Sequence, residues 1–167
     1  MAPAGVAITV DGSARAPHDR VFHAIAPVPL EEIFTGYGPL PAVVGTHGLE
    51  GGWDRVGATR TVELADGSEA REEITSYDKP SHFGYRLSGF TGVMRRLASG
   101  VDGAWWFTES DAGATHIRWT YTFQSLAGRA LVVRAAVGPL WRRYAQQTLA
   151  LAVQRAERPG AAGPEAS

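Results

Sequence analysis

The most regular part of the chain is the stretch ATRTVEL-ADG-SEAREEITSY-DKP-SHFGYRLS, residues 58–88, in which strand-sized segments alternate with short turn signals. The pattern returns in VDGAWWFTE-SDAG-ATHIRWTYTF, residues 101–123. Asp-Gly and Asp-Ala-Gly are typical of hairpin turns, because glycine readily takes the positive φ that a tight turn needs. These segments predict an antiparallel sheet, and a sheet with one apolar face must be covered by another element.

The other elements are predicted from the flanking segments. Residues 6–10 alternate apolar and polar side chains, which predicts an opening strand ended by residues 11–13. Two short helices follow, one between Pro17 and Pro27 and one from Pro29 to Gly36, because proline suits a first helical turn and stops a helix that it follows. With a weak strand over residues 43–49, the predicted order is one strand, two helices, six strands and a last helix.

The last helix is long and amphipathic and is predicted from Pro139 to Arg158. Gly138-Pro139 either begins it or kinks a longer helix that starts near Arg129, because proline lacks an amide donor. Its expected sheet-facing residues are Leu140, Tyr144 and Leu151, with Trp141 at the edge of that face.

Composition narrows the class of protein. The chain has 167 residues, 44% of them hydrophobic and 20% charged, with no cysteine and a net charge of −1. We expect a single domain over residues 6–158 and a flexible tail over 159–167. Disulfides and thiolate catalysis are excluded, and the near-neutral charge disfavours a nucleic-acid partner. No apolar run or signal-like segment is evident, so a cytoplasmic location without stable membrane insertion is expected.

Neither a metal nor a cofactor is expected from the motifs. The five histidines lie on separate predicted elements and lack a metal-ligand spacing such as His-Glu-x-x-His. The glycine-rich loop over residues 48–57 lacks the Gly-Lys-Ser/Thr of a nucleotide-binding loop. This loop is instead expected to connect two strands and to line the mouth of a cavity.

Strand parity indicates which side chains face the interior. Alternate residues of a strand share one face. The aromatic and aliphatic side chains that this test turns inward are Phe83, Tyr85, Leu87, Trp105, Phe107, Ile117, Trp119, Tyr121 and Phe123. Such rings either fill the core or line a pocket, because buried Tyr and Trp need polar partners and pockets are also mainly aromatic.

Two ionisable residues share these inward faces. Arg60 has the parity of Val62, and Glu72 has the parity of Ile74. If both point inward they could pair or meet a polar group of a ligand, since a buried unpaired charge is costly. An exposed, salt-bridged Arg60 is the alternative, and the adjacent Glu73 leaves the parity of this strand ambiguous.

Several motifs resemble one superfamily across nearly the whole chain. They are Val21-Phe22, Gly52-Trp53, GATRTVELADG at 57–67, Glu73-Ile74, Asp78-Lys79-Pro80, FGYR at 83–86 and GATHIRW at 113–119. The sequence resembles the START/Bet v1-like (SRPBCC, helix-grip) superfamily, and within it the bacterial polyketide cyclase/dehydrase-like branch. The resemblance implies an α+β helix-grip fold. In it a seven-stranded antiparallel sheet wraps around a long C-terminal helix, with two short helices after the first strand.

The resemblance leaves two functions open, because one fold hosts many. The first is binding of a small hydrophobic or polycyclic molecule, such as a polyketide, lipid or antibiotic, in a cavity between sheet and C-terminal helix. The alternative is a polyketide aromatase/cyclase that catalyses aldol cyclisation and dehydration. Whether the protein is an enzyme therefore stays open.

The candidate site residues follow from parity and from this resemblance. The candidates for acid–base catalysis are Arg60, Glu72 and Tyr85. The candidate ligand-binding residues are Arg60, Val62, Glu72, Ile74, Phe83, Tyr85, Met94, Trp105, Phe107, Trp119, Tyr121, Leu140 and Tyr144. The irregular segment over residues 89–100 is interpreted as a movable apolar flap; alternatively, it packs on the last helix or on the partner in a homodimer.

Overall fold

Seven antiparallel strands form one continuous sheet in the computed structural model, which describes residues 5–160. Along the sheet the strands run in the order β1-β7-β6-β5-β4-β3-β2. Their bounds are β1 Gly5–Ala14, β2 Val43–His47, β3 Thr59–Leu64, β4 Glu69–Asp78, β5 His82–Ser88, β6 Ala98–Glu109 and β7 Thr115–Ser125. The predicted seven-stranded antiparallel sheet is confirmed.

The first strand is longer than predicted. It does not end at residues 11–13 but pairs with β7 from Gly5 opposite Gln124 to Ala14 opposite Thr115. Gly12 serves close packing there, since a Cβ on it would lie 3.0 Å from Cδ2 of Leu149. A glycine in a strand can mark such a close approach instead of a turn.

Two short helical segments follow β1, as predicted. Helix α1 spans His18–Ile25, and the second segment is a single 3₁₀ turn over Leu30–Glu32. This turn is shorter than predicted because the backbone soon pairs elsewhere: the amide of Val43 donates to the carbonyl of Phe34 at 2.9 Å.

The C-terminal helix takes the longer of its two predicted forms. Helical backbone runs through α2 (Ala130–Val132), a π-helical turn (Val133–Val137) and α3 (Gly138–Glu157). The amide of Gly138 donates to the carbonyl of Val133, so the turn before Pro139 is wide. The wide turn accommodates a proline, which cannot donate to the preceding turn and would crowd its carbonyls in a regular helix.

The face of α3 that meets the sheet differs from the prediction. Its buried residues are Gly138, Trp141, Tyr144, Ala145, Thr148, Leu149, Ala152 and Ala156. Trp141, predicted at the edge, is buried, whereas Leu140 and Leu151 are only half-buried. The prediction favoured large side chains, but α3 lies against β1 and α1, and small residues allow this close approach.

The structure also bears on the predictions about membrane insertion and about the domain and its tail. No helix among residues 5–160 is both long and apolar enough to cross a membrane. Most of the predicted tail, from residue 161 onward, lies outside the described residues, and the single domain over 6–158 stays a prediction.

Candidate functional site

A cavity of about 230 Å³ lies between the inner face of the sheet, the segment after α1 and the C-terminal helix. Strands β3 to β7 contribute side chains to one wall, and residues from Ile25 to Val43 contribute to another. Its lining is mostly aliphatic and aromatic, with a few polar groups, which is the usual composition of a small-molecule site.

Nine of the thirteen predicted ligand-binding residues line this cavity. They are Arg60, Val62, Glu72, Phe83, Tyr85, Met94, Trp105, Tyr121 and Tyr144. The three candidate catalytic residues are among them.

The other four predicted residues lie outside the lining. Ile74 packs with Trp53 and Ala58 in a separate small cluster. Phe107 is covered by Phe22 of α1, with ring centroids 5.5 Å apart. Leu140 is half-buried on the C-terminal helix.

Trp119 is the fourth of these residues. It is buried under Trp105, whose ring stacks on it at 4.4 Å. Parity correctly turned Phe107 and Trp119 inward, and Ile74, on the strand whose parity was ambiguous, is buried as well. Parity does not reveal which inward residues another side chain covers.

Several lining residues were missed by the sequence analysis. Phe34 and Leu40 belong to the irregular segment before β2, where no periodicity marks an inward side chain, and Trp141 was placed at an edge. Trp53 also lines the cavity. It comes from the glycine-rich loop that was expected at the cavity mouth.

The polar centre of the cavity is a buried ion pair. Arg60 on β3 and Glu72 on β4 are directly opposite in register. The Nε of Arg60 donates to Oε2 of Glu72 at 2.7 Å, and the two residues are only 8% and 4% exposed. The guanidinium also lies over the ring of Trp53, 3.9 Å from its centroid, which is a favourable cation–π distance.

Part of the hydrogen-bonding capacity of this pair is unused. An arginine carries five N–H donors and a carboxylate accepts several hydrogen bonds. Within residues 5–160 the terminal nitrogens of Arg60 and Oε1 of Glu72 make no hydrogen bond to another side chain or to the backbone. These atoms are the polar groups that the pair offers to a ligand.

Burial raises the pKa values of Glu72 and of two nearby tyrosine hydroxyls. It raises the pKa of the Glu72 carboxyl, while the charge of Arg60 acts in the opposite direction. Burial likewise raises the pKa values of the Tyr85 and Tyr121 hydroxyls, with a further contribution from Glu72. Both tyrosines are therefore neutral phenols near pH 7, able to donate a hydrogen bond but not suited to act as bases.

Tyr85 reaches the centre of the sheet because Gly103 lacks a side chain. Gly103 on β6 lies between Tyr85 of β5 and Tyr121 of β7. A Cβ at position 103 would overlap Cζ and Cε2 of the Tyr85 ring. The Tyr85 ring lies over Gly103, in the space that a side chain there would fill. Its hydroxyl accepts a hydrogen bond from Nε1 of Trp119 at 3.0 Å.

The two other cavity tyrosines differ in what their hydroxyls do. The Tyr144 hydroxyl donates to the carbonyl of Pro41 and accepts from the amide of Gly36, both at 3.0 Å. It thereby ties the segment before β2 to α3. The Tyr121 hydroxyl makes no hydrogen bond within the described residues, so it is free to meet a ligand.

The predicted flap contributes to the cavity rim. It contains a 3₁₀ turn over Val93–Arg96, and the side chains of Val93 and Met94 line the cavity. Thr91 ties the segment to Glu69 at the start of β4, through backbone and side-chain hydrogen bonds of 3.1 and 2.8 Å. Movement of this segment stays a prediction.

Among the described residues, a cluster on the outer strands, which shares Glu69 with the cavity rim, has metal-ligand chemistry. The side-chain ligand atoms of His47, Glu63 and Glu69 lie within 4.8 Å of one another on β2, β3 and β4. All three side chains are about half exposed. Nε2 of His47 lies 3.2 Å from Oε1 of Glu63, so a surface contact between these two side chains accounts for the arrangement.

The fold and the cavity together define a helix-grip protein with an internal apolar site. The chain belongs to the family described as "Polyketide cyclase / dehydrase and lipid transport", whose model matches residues 6–157. The resemblance drawn from the sequence motifs is thereby confirmed.

Two solved structures show the same fold. One is the Zhui aromatase/cyclase from Streptomyces sp. R1128, with a TM-score of 0.72 and 17% identity over 96% of this chain and 100% of that one. The other is Ara h 8.0201, with a TM-score of 0.68 and 20% identity over 92% of this chain and 98% of that one. Comparison with curated protein sequences gives no match.

Proposed function

We propose that this protein binds a small hydrophobic or polycyclic molecule, of the polyketide, lipid or antibiotic kind, in the cavity between its sheet and its C-terminal helix. The observation that carries the proposal is a mainly apolar cavity with the buried Arg60–Glu72 ion pair at its centre. An apolar lining supplies affinity and a few placed polar groups supply orientation. The family description, which includes lipid transport, points the same way.

Binding is favoured over catalysis by the state of the candidate residues. A general base works best when its pKa lies near the working pH. Glu72 is held by Arg60 at 2.7 Å, and the pKa values of Tyr85 and Tyr121 are raised by burial. The cavity thus offers hydrogen-bond donors, and its candidate base, Glu72, is engaged by Arg60 instead of being free to take up a substrate proton.

The second candidate function is an aromatase/cyclase. Terminal nitrogens of Arg60 could polarise a ketone of a poly-β-ketone chain, and one solved structure of this fold is an aromatase/cyclase. If so, Arg60→Leu and Glu72→Gln should each lower turnover of a poly-β-ketone mimic by about 10²- to 10⁴-fold, with smaller effects on its affinity. Absence of turnover in the parent protein would remove this candidate.

The binding function is tested by filling the cavity. Ala70 is buried on β4 and lines the cavity, whereas Ala150 is exposed on α3. Titration with a hydrophobic fluorescent probe should saturate at one site and quench tryptophan emission, because Trp105 lines the cavity. Ala70→Leu should weaken binding at least about tenfold, and Ala150→Leu should leave it unchanged. Equal binding by the folded Ala70→Leu variant would place the site elsewhere.

The natural ligand is sought by native mass spectrometry of the protein purified from its own host. The proposal includes a cytoplasmic location and a small-molecule partner, with no cofactor, nucleic acid or stable membrane insertion. A homodimer also stays a prediction, and light scattering on the purified protein measures it directly.

A further inference from the structure

The ion pair places a hydrogen-bond donor and an acceptor side by side in the cavity. Arg60 and Glu72 face each other across neighbouring strands, and one N–H···O contact of 2.7 Å joins them. Trp53 covers the guanidinium, so the position of the donor is fixed. A ligand group that meets this pair therefore meets unused N–H donors next to an unused carboxylate oxygen.

The charges around the cavity disfavour an anion. Arg60 is the single basic residue of the described lining, and its charge is already neutralised by Glu72. The other charged lining residues, Asp66 and Glu69, are acidic and exposed at the rim. A carboxylate brought into this site would lose water without gaining an unpaired cation, and burial of an unpaired charge is strongly unfavourable.

We propose that the cavity selects neutral ligands that carry a hydrogen-bond acceptor beside a donor, such as a carbonyl next to a hydroxyl or a carboxamide, and rejects carboxylates of the same shape. The acceptor lies against Arg60 and the donor against Glu72. This selectivity rests on the proposed binding function. Apolar and aromatic lining residues such as Phe83 and Trp105, whose rings are parallel within 12°, receive the flat body of the ligand.

Two isosteric probes test whether the cavity prefers a neutral ligand to a carboxylate. 2-Naphthamide is neutral and carries a carbonyl beside an N–H₂ group, whereas 2-naphthoate has the same shape and a negative charge. Isothermal titration calorimetry of the parent protein at pH 7 should show the amide binding at least about tenfold more tightly than the carboxylate. Equal affinities, or tighter binding of the carboxylate, would overturn the selectivity while leaving the binding function intact.

Substitution of the acid tests the cause of the preference. Glu72→Gln removes the negative charge and leaves Arg60 uncompensated, so the preference should reverse and the naphthoate should bind more tightly. Glu73→Gln makes the same chemical change one residue further along β4, outside the lining, and should leave the preference unchanged. A Glu72→Gln variant that folds and still prefers the amide tenfold would overturn the assignment to this pair.

Failure of the selectivity proposal can be distinguished from failure of the binding function, even if Glu72→Gln does not fold or a probe does not bind. If Glu72→Gln does not fold, the comparison of the two probes on the parent protein still decides the selectivity. If neither naphthalene probe nor the hydrophobic fluorescent probe binds the parent, the binding function itself is refuted, and the selectivity with it.

Discussion

Replacement of Gly103 by alanine should destabilise the protein although it adds only one methyl group. The new Cβ would occupy the space of the Tyr85 ring, so the ring must rotate away from β6. Nε1 of Trp119 then loses its acceptor while Trp119 stays buried, at 1% exposure. An unsatisfied buried donor costs about 1–3 kcal/mol, and an overpacked core costs about 1–3 kcal/mol more.

One effect acts in the opposite direction. Alanine restricts the unfolded chain more than glycine does, which stabilises the folded protein by about 0.4–1 kcal/mol where the backbone conformation suits it. Gly103 is not among the glycines with positive φ, so this gain applies. The net expectation is a loss of about 1–5 kcal/mol in the free energy of unfolding, measured by urea denaturation with tryptophan fluorescence and circular dichroism.

A matched control isolates the clash. Gly45 on β2 also has no positive φ, and a Cβ built on it meets nothing within 4 Å. Gly45→Ala should therefore change the free energy of unfolding little or raise it slightly. In a Tyr85→Leu background the effect of Gly103→Ala should shrink towards that of Gly45→Ala, because the clashing ring is gone. A Gly103→Ala variant as stable as Gly45→Ala would refute the reasoning.

Three further predictions concern the polar groups of the cavity. Folding raises the pKa of the Glu72 carboxyl above its ordinary value of 4.5, so the folded protein binds the proton of this carboxyl more tightly than the unfolded chain does. The stabilisation that comes from this protonation is complete below pH 4.5 and is lost as the pH rises through the raised pKa. The stability of the parent relative to Glu72→Gln should therefore fall as the pH rises above 4.5, and a pH-independent difference in urea titrations would contradict this. Tyr144→Phe removes both hydrogen bonds to the segment before β2 and should lower the free energy of unfolding by about 1–2 kcal/mol. Tyr121→Phe should keep the free energy of unfolding within about 0.5 kcal/mol of the parent value and should weaken the binding of ligands that use the Tyr121 hydroxyl. A larger loss of stability in Tyr121→Phe than in Tyr144→Phe would refute these roles of the two hydroxyls.

The wall formed by the sheet was largely predictable because strand geometry is local. Alternation places Tyr85, Trp105 and Tyr121 on one face, and a two-residue period leaves little freedom once the turns are identified. The uncertain parity of Glu72 is resolved by its register opposite Arg60. The opposing wall was less predictable, because Phe34 lies in a segment without periodicity and its position depends on tertiary contacts.

The buried face of α3 was also only partly predictable from the sequence. Hydrophobicity favoured Leu140 over Ala145, but the helix lies close to β1 and α1, and its buried face includes three alanines. How closely two elements approach is a property of the packed molecule, so periodicity identifies a buried stripe without showing which of its members touch the sheet.

Two features of the cavity are unfavourable for stability alone, and they meet at the same place. A buried ion pair is often no better for stability than well-packed apolar residues of similar volume. A glycine inside a strand weakens it by about 0.5–1 kcal/mol relative to alanine. Yet Arg60 and Glu72 place unused polar atoms in the cavity, and Gly103 is what lets Tyr85 lie beside them. Because local departures from the stablest choice are expected at functional sites, their convergence on one cavity supports its assignment as the binding site.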